Sequence, residues 1–307
     1  MHEDAETRKG LLYGAAAYLL WGLFPLFWPL LEPAGTIEIL AHRMVWSLVV
    51  VMVVLRFSGG YGGLRAVLGN RRQRTLLALA AVVITVNWGT YIWGVNSGHV
   101  VETSLGYFIN PLFTILLGVL VLGERLRVAQ WVAVGIGAVA VVVITVDYGH
   151  LPWIALTLAT SFALYGFFKK KASVGAVDSL AVETSVLFLP ALAALVTIGF
   201  QGNLAFGEVS VGNSLLLAST GIVTAVPLLF FASATRRLPL SVLGLLQYLA
   251  PVLQFAVGVG IRHEPLPTAE LIGFALVWVA LIVLTVDGVC GQRRASGLAE
   301  AAEAVAI

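Results

Sequence analysis

Apolar runs of about twenty residues, enough for a helix to cross roughly 30 Å of hydrocarbon, recur along this chain from residue 10 to residue 288. In hydrocarbon every backbone amide must find its partner inside the segment or in a neighbouring one. The recurrence therefore restricts the chain to an all-α bundle of transmembrane helices and leaves no stretch for a sizeable soluble domain. Composition agrees: of 307 residues, 59% are hydrophobic and 11% charged, against roughly 25% charged in an ordinary soluble domain.

Reading the apolar runs between polar breaks places helices near 10–31, 36–56, 75–97, 101–122, 128–146, 151–169, 178–199, 212–235, 239–261 and 268–288. The first run follows Arg8 and Lys9 and is longer than a signal-peptide core, so it is read as a retained helix. Lys and Arg gather on the cytoplasmic side of alternate loops. With the N-terminus inside, all of the 18 Lys and Arg except Arg43, within a span, and Arg262, in an outer loop, fall on inner segments. Ten spans with both termini cytoplasmic follow. The connection over 57–74, with Gly59, Gly60, Gly62 and Gly63 around Tyr61, reads as a flexible cytoplasmic loop, and the Ala- and Glu-rich tail after Arg294 as a frayed surface helix.

Shifting the chain by 140 positions aligns Pro111–Asp147 with Pro251–Asp287 without a gap, and 12 of the 37 pairs are identical, among them Pro111/Pro251, Gly118/Gly258 and Glu124/Glu264. A weaker match sets Trp21-Gly22 against Tyr165-Gly166. Five spans per half is an odd number, so the second half lies upside down relative to the first. The expected domains are a first five-helix repeat over 1–146, a second, inverted five-helix repeat over 147–288 and a cytoplasmic tail over 289–307. Inverted repeats are the recurring plan of secondary transporters, whose halves rock about a midplane site.

Polar groups in a span should face the bundle interior or a wet path. Thr103, Tyr107, Asn110 and Thr114 fall on one helical stripe, and the repeat answers Tyr107 with Gln247 and Thr114 with Gln254, Tyr248 standing beside Gln247. These residues are substrate-pathway candidates; the alternative is interhelical hydrogen bonding that only holds the bundle together. The second span carries Glu38, His42 and Trp46 at steps of four, with Arg43 adjoining. An arginine inside a span costs about 2.5–3.5 kcal/mol on insertion scales, so Arg43 should pair with Glu38 or Glu102, snorkel, or meet an anionic group. Asn87 and Tyr91 on the third span, with Trp88 nearby, and Trp21 on the first complete the pathway set. Glu183, the repeat counterpart of Arg43, is a coupling or gating candidate with Glu102; an interfacial position is its alternative. Pro25 and Pro29 should bend the first span, as gate or as static curvature. Trp28 and Trp153 read as interfacial anchors, and Glu124 and Glu264 as helix-start acids.

Several classes are disfavoured. The single cysteine, Cys290, cannot pair within the chain, and no Cys/His cluster has metal-ligand spacing, so neither metal nor another cofactor is expected. A net charge of +2 spread over the loops makes nucleic acid an unsuitable partner. No Walker loop, nucleophile elbow or HExxH pattern occurs, which argues against an ATPase or a familiar membrane hydrolase, and the chain is expected not to be an enzyme.

The runs Glu38-Ile-Leu-Ala-His-Arg-Met-Val-Trp-Ser47, Glu102-Thr-Ser-Leu-Gly-Tyr-Phe-Ile-Asn-Pro111 and Leu245-Leu-Gln-Tyr-Leu-Ala-Pro251, with Gly10-Leu-Leu-Tyr-Gly14 and Trp21-Gly22, resemble RarD-type members of the EamA family, in the drug/metabolite transporter superfamily. The resemblance covers nearly the whole chain. It implies a duplicated five-helix unit, residence in a bacterial inner membrane, and small-molecule export or uptake without ATP hydrolysis. RarD-type proteins are described as chloramphenicol-sensitivity proteins or permeases. One departure is Arg262-His263-Glu264 where the first repeat has Leu122-Gly123-Glu124. The expected function is secondary transport of a small metabolite, amino-acid-like compound or drug by alternating access, with the bilayer and a proton or exchanged solute as partners. A passive channel or a membrane scaffold is the alternative. One chain already holds both halves, which is compatible with a working monomer; oligomeric state is left open.

Overall fold

The computed structural model describes residues 2–57, 61–122, 126–235, 237–238, 242–243 and 246–305, with side chains described except at 2–5, 122, 148, 232, 235 and 288–305. Glu124, Arg125, Arg236, Leu245, Gly59 and Gly60, all used in the sequence reading, lie outside the described residues or their side chains, as do the side chains of Cys290, Arg293 and Arg294. The described residues form helices joined by short connections, without strands.

The first apolar run is broken. Helix α1 (His2–Gly22) gives way to the short α2 (Phe24–Phe27) and a 3-10 turn over Trp28–Leu31, and the two parts are bent by 42°. The cause is Pro25, which has no N–H to offer the Trp21 carbonyl four residues back. Gln254, more than two hundred residues away, takes that role: its Nε2 donates to the Trp21 carbonyl at 3.2 Å. Asn213 does the same at the far end of the break, donating from Nδ2 to the Leu31 and Glu32 carbonyls at 3.1 and 3.2 Å.

Helix α3 (Thr36–Phe57) follows, and then α4 (Gly62–Gly69), which corrects the expectation of a flexible loop there. Leu64 and Val67, three residues apart on one face, bury against Val51, Leu55, Leu77 and Leu180, and that contact outweighs the intrinsic helix cost of two glycines. Gly63 is required in this place, because a Cβ there would fall on the Asp178 carboxylate. The remaining helices are α5 (Arg71–Asn96), α6 (Val100–Leu122), α7 (Val128–Tyr148), α8 (Trp153–Ala172), α9 (Ala176–Phe200), α10 (Val211–Thr235), α11 (Leu249–Gly260) and α12 (Thr268–Val305). Seven of the described helices, α3, α5, α6, α7, α9, α10 and α12, are long and apolar enough to cross a membrane, and the bent first pair makes eight.

Helix α1 packs on α10 and α11; α8 packs on α5 and α6; α3 lies between α9 and α10; α5 also touches α9; α7 pairs with α12, and α6 with α11. Close approach is set by glycine at two crossings. A Cβ on Gly221 would sit on the Trp46 backbone where α10 meets α3, and one on Gly106 would press on the Ala155 backbone where α6 meets α8.

One end of the bundle is held by carboxylates that accept backbone amides. Glu38 at the start of α3 accepts from Ala205 N (2.9 and 3.1 Å) and Phe206 N (2.9 Å) in the α9–α10 loop. Glu102 accepts from Ile154 N and Ala155 N of α8 at 3.2 and 3.4 Å. Glu264 accepts from Val100 N and Val101 N of α6, both at 2.8 Å. Glu264 is thus a helix cap as expected, but of α6 rather than of the α12 it precedes; Pro265 and Pro267 keep it in extended chain short of α12. This is the acidic end. The opposite, basic end carries Lys169, the Arg127–Asp287 ion pair at 2.7 Å and the Arg237–Glu6 pair at 2.9 Å.

Gly221→Ala is expected to destabilise the purified protein by about 1–3 kcal/mol through overpacking against the α3 backbone, read as a lower melting temperature in detergent. Gly166→Ala is the control, since nothing lies within 4 Å of its added Cβ; it should leave the melting temperature unchanged or raise it.

Candidate substrate-binding site

Arg43 is the centre. It lies seven positions inside α3, counted from Thr36, and is 3% exposed. Neither expected carboxylate meets it, because Glu38 and Glu102 are both committed to backbone amides at the acidic end. Its Nε donates to Thr224 Oγ1 on α10 at 2.9 Å. Its guanidinium stacks on Trp88, with Cζ 3.7 Å from the ring centroid, and Trp28 and Phe24 stand at 5.1 and 5.8 Å. Nη1 is buried without a hydrogen-bond partner, and among the described residues no carboxylate forms an ion pair with the group. Cation–π contact with a desolvated ring is worth about 2 kcal/mol or more, which offsets only part of the several kcal/mol that an unpaired buried ion costs.

Trp28, expected as an interfacial anchor, is fully buried instead, packed edge-on to Phe24 and Phe27 at 5.2 Å. The bend at Pro25 turns it inward. Trp153 is exposed, with its ring 5.2 Å from Trp93.

A second group lies beside these rings: Tyr91 shares one buried apolar cluster with Phe24 and Trp28, and Tyr107 packs against that cluster. The Tyr107 hydroxyl donates to Asn87 Oδ1 at 3.1 Å, while Asn87 Nδ2 donates to the Leu158 carbonyl and Ser161 Oγ, both at 3.0 Å. Asn87 is therefore fully engaged, linking α5 to α6 and α8. Tyr91 meets the Tyr107 ring edge-on at 5.6 Å, and its hydroxyl has no partner.

The two ends close over this region. Toward the acidic end, His42 packs at a tilt against Phe206 with ring centroids 4.7 Å apart, accepts from Trp46 Nε1 at Nδ1 (3.2 Å), and holds Nε2 3.9 Å from Glu38. Toward the basic end, Glu183 is buried and its carboxylate is filled: Oε1 accepts from Lys169 Nζ at 2.8 Å and Ser179 Oγ at 2.7 Å, and Oε2 accepts from the Tyr165 hydroxyl at 3.1 Å. Glu183 thus has a counter-ion, unlike Arg43.

Of the other pathway candidates, Trp21 packs against the cluster that holds Phe24, Trp28 and Tyr91. Gln254 and Trp21 serve the proline break, with Pro25 buried within it. Asn110 is buried with Oδ1 unpartnered, and its carbonyl accepts from Thr114 at 3.0 Å. Gln247 is half-buried, and Tyr248 lines a lateral apolar groove with Phe108, Val252 and Trp278. Sequence reasoning missed Thr224 and Phe24. Thr220 and Thr224, four apart in an otherwise apolar run ahead of Pro227, were the available signal.

A buried guanidinium stacked on a ring, with no carboxylate partner among the described residues and enclosed by helices from both ends of the sequence, is the candidate binding centre. Comparison with known proteins gives the family. The model of the EamA-like transporter family matches residues 8–146, and Protein RarD of Streptomyces exfoliatus is 58% identical over 98% of this chain and 96% of its own. The chain belongs to the EamA-like transporter family and is of the RarD type. A further relative, the uncharacterized transporter YojE of Bacillus subtilis, is 42% identical over 95% of this chain and 98% of its own. A solved crystal structure, 19% identical, superposes with a TM-score of 0.57 over 90% of this chain and 96% of that one, which shows the fold alone. The EamA relatives make this protein a multi-pass membrane transporter.

Glu38→Gln keeps the shape of the clasp on Ala205 and Phe206 but removes its charge. Hydrogen bonds to charged acceptors are worth about 1.5–3 kcal/mol against about 1 for neutral ones, so closure should weaken by about 1–2 kcal/mol and the open population rise about five- to thirty-fold. Alkylation of an Ala34→Cys probe, buried at that end, in a Cys290→Ser background reads this directly; an unchanged rate would remove Glu38 from the closure.

Proposed function

We propose that this EamA transporter is a secondary carrier working by alternating access, with Arg43 at the centre of its substrate site. The observation that carries the proposal is the enclosure of the unpaired Arg43 between two separate closures, the Glu38 clasp on one side and the Lys169–Glu183 pair on the other. A carrier needs a site that can be shut from either face.

Ten spans in two inverted repeats, residues 1–146 and 147–288, are part of this reading. Helices α8 and α11 complete the count, α8 being less apolar because Lys169, Lys170 and Lys171 end it, and α11 being short at 12 residues. Helix pairing supports the two-fold relation. Exchanging α1 with α8, α3 with α9, α5 with α10, α6 with α11 and α7 with α12 sends each principal pair into another pair that is also in contact: α1–α10 becomes α8–α5, α3–α10 becomes α9–α5, and α6–α8 becomes α11–α1. Arg43 and Glu183 then occupy equivalent positions, each seven residues from the start of its helix. We assign the basic end to the cytoplasm of a bacterial inner membrane, with both termini there, because Arg71, Arg72, Arg74 and Lys169–Lys171 lie at it. The substrate is a small molecule, moved without ATP hydrolysis; Glu183 serves as part of the cytoplasmic closure, with protons or an exchanged solute supplying the driving force.

In proteoliposomes, a panel of aromatic acids, amino acids, amphipathic amines and chloramphenicol should include a probe that exchanges saturably in counterflow, and Arg43→Gln should reduce that exchange at least tenfold. Linear, non-saturating flux would point to a channel. Orientation is read separately: a cysteine replacing Arg262 should react with an impermeant maleimide in intact cells, and one replacing Arg72 only after permeabilisation.

A further inference from the structure

The chemical class of the ligand can be taken further, on the premise that the Arg43 region is the carrier's binding site. The guanidinium has one face against Trp88 and its Nε committed to Thr224. What remains is the Nη1/Nη2 edge, the fork that matches a carboxylate with two parallel hydrogen bonds. Nη1 is buried with no partner, and two more buried donors are equally idle: Trp28 Nε1, on a ring whose centroid is 5.1 Å from the Arg43 Cζ, and the hydroxyl of Tyr91, which shares the Trp28 cluster. An indole N–H can only donate. Three unpartnered donors of this kind amount to a receptor for acceptor oxygen.

Charge narrows the class. Arg43 supplies one positive charge, and Lys169 on α8 is taken by Glu183. A dianion such as phosphate would leave net negative charge in a low-dielectric site. A zwitterion would need a carboxylate for its ammonium, and Glu38, Glu102 and Glu183 are all engaged elsewhere. The walls narrow it again: Phe24, Trp28, Trp88, Tyr91, Tyr107 and Phe162 are rings, the last at right angles to Tyr107. We infer that this site binds a small monoanionic carboxylate with an aromatic body, held by the Nη1/Nη2 edge of Arg43 and by Trp28 Nε1 and the Tyr91 hydroxyl.

The test uses the full chain in detergent and in proteoliposomes, with phenylacetate as probe and phenylacetamide, phenethylamine, phenylalanine, inorganic phosphate and chloride as comparators. Phenylacetate should quench tryptophan fluorescence saturably, at least tenfold more tightly than phenylacetamide or phenylalanine, and Trp88→Phe should remove a large share of the signal. Arg43→Lys should keep the preference for the acid, and Arg43→Gln should bring acid and amide within about twofold. If Arg43→Gln does not fold, Thr224→Val serves, with the acid weakened several-fold and the amide unchanged. Equal binding of acid and amide, tighter binding of the amine or phenylalanine, displacement of phenylacetate by phosphate or chloride at equal concentration, or an acid preference that survives Arg43→Gln each overturns the assignment. Counterflow separates this inference from its premise. Saturable exchange of another probe class with no acid preference overturns the carboxylate assignment and leaves the carrier standing, whereas acid-selective quenching with no exchange of any probe upholds the assignment and overturns the carrier.

Discussion

A helix end leaves backbone amides without partners, and in a membrane bundle water at the interface is their only cheap substitute. At the acidic end of this protein three carboxylates on neighbouring elements take up those amides: Glu38 for the α9–α10 loop, Glu102 for α8 and Glu264 for α6. Each bond is charge-assisted and each crosses between elements, so the positions of helix ends, and with them the depth of the side chains they carry, are set relative to one another. The Arg43 site depends on that arrangement in a direct way. The carboxylates that would otherwise neutralise it are held at the end of the bundle by amides, and the arginine is left unpaired.

The same logic runs through the broken first span. Proline removes a donor, and a side chain from a distant helix replaces it. Gln254 on the Trp21 carbonyl and Asn213 on the Leu31 and Glu32 carbonyls tie the break to α11 and α10. With the break fixed, Trp28 turns toward the core and covers Arg43.

Much of the helical content was legible in sequence because a long apolar run has few alternatives in a bilayer, and Arg43 was legible because a charge in such a run stands out. Its surroundings were not. Thr224 is 181 residues from Arg43, and no periodicity along one helix reports which face of another it will meet. Trp28 misled because its place near the end of a run is where anchors also sit; the turn that buries it comes from Pro25. Gln254 and Pro25 were each singled out, but as separate features, since the hydrogen bond joining their roles exists only in three dimensions. At 57–74 glycine content suggested a loop, whereas the three-residue spacing of Leu64 and Val67 was the signal that prevailed. Glu183 was legible as an acid on a span, either a coupling candidate or an interfacial residue, and its pairing was not, because Lys169 reads as a surface charge ending α8.

The cap that Glu264 places on α6 has a bearing on biogenesis. Val100 and Val101 enter the membrane early in synthesis, yet the carboxylate that accepts their amides belongs to the segment just before the last helix. The start of α6 therefore lacks this cap in any chain that stops short of Glu264, and the finished first half depends on a residue near the end of the second.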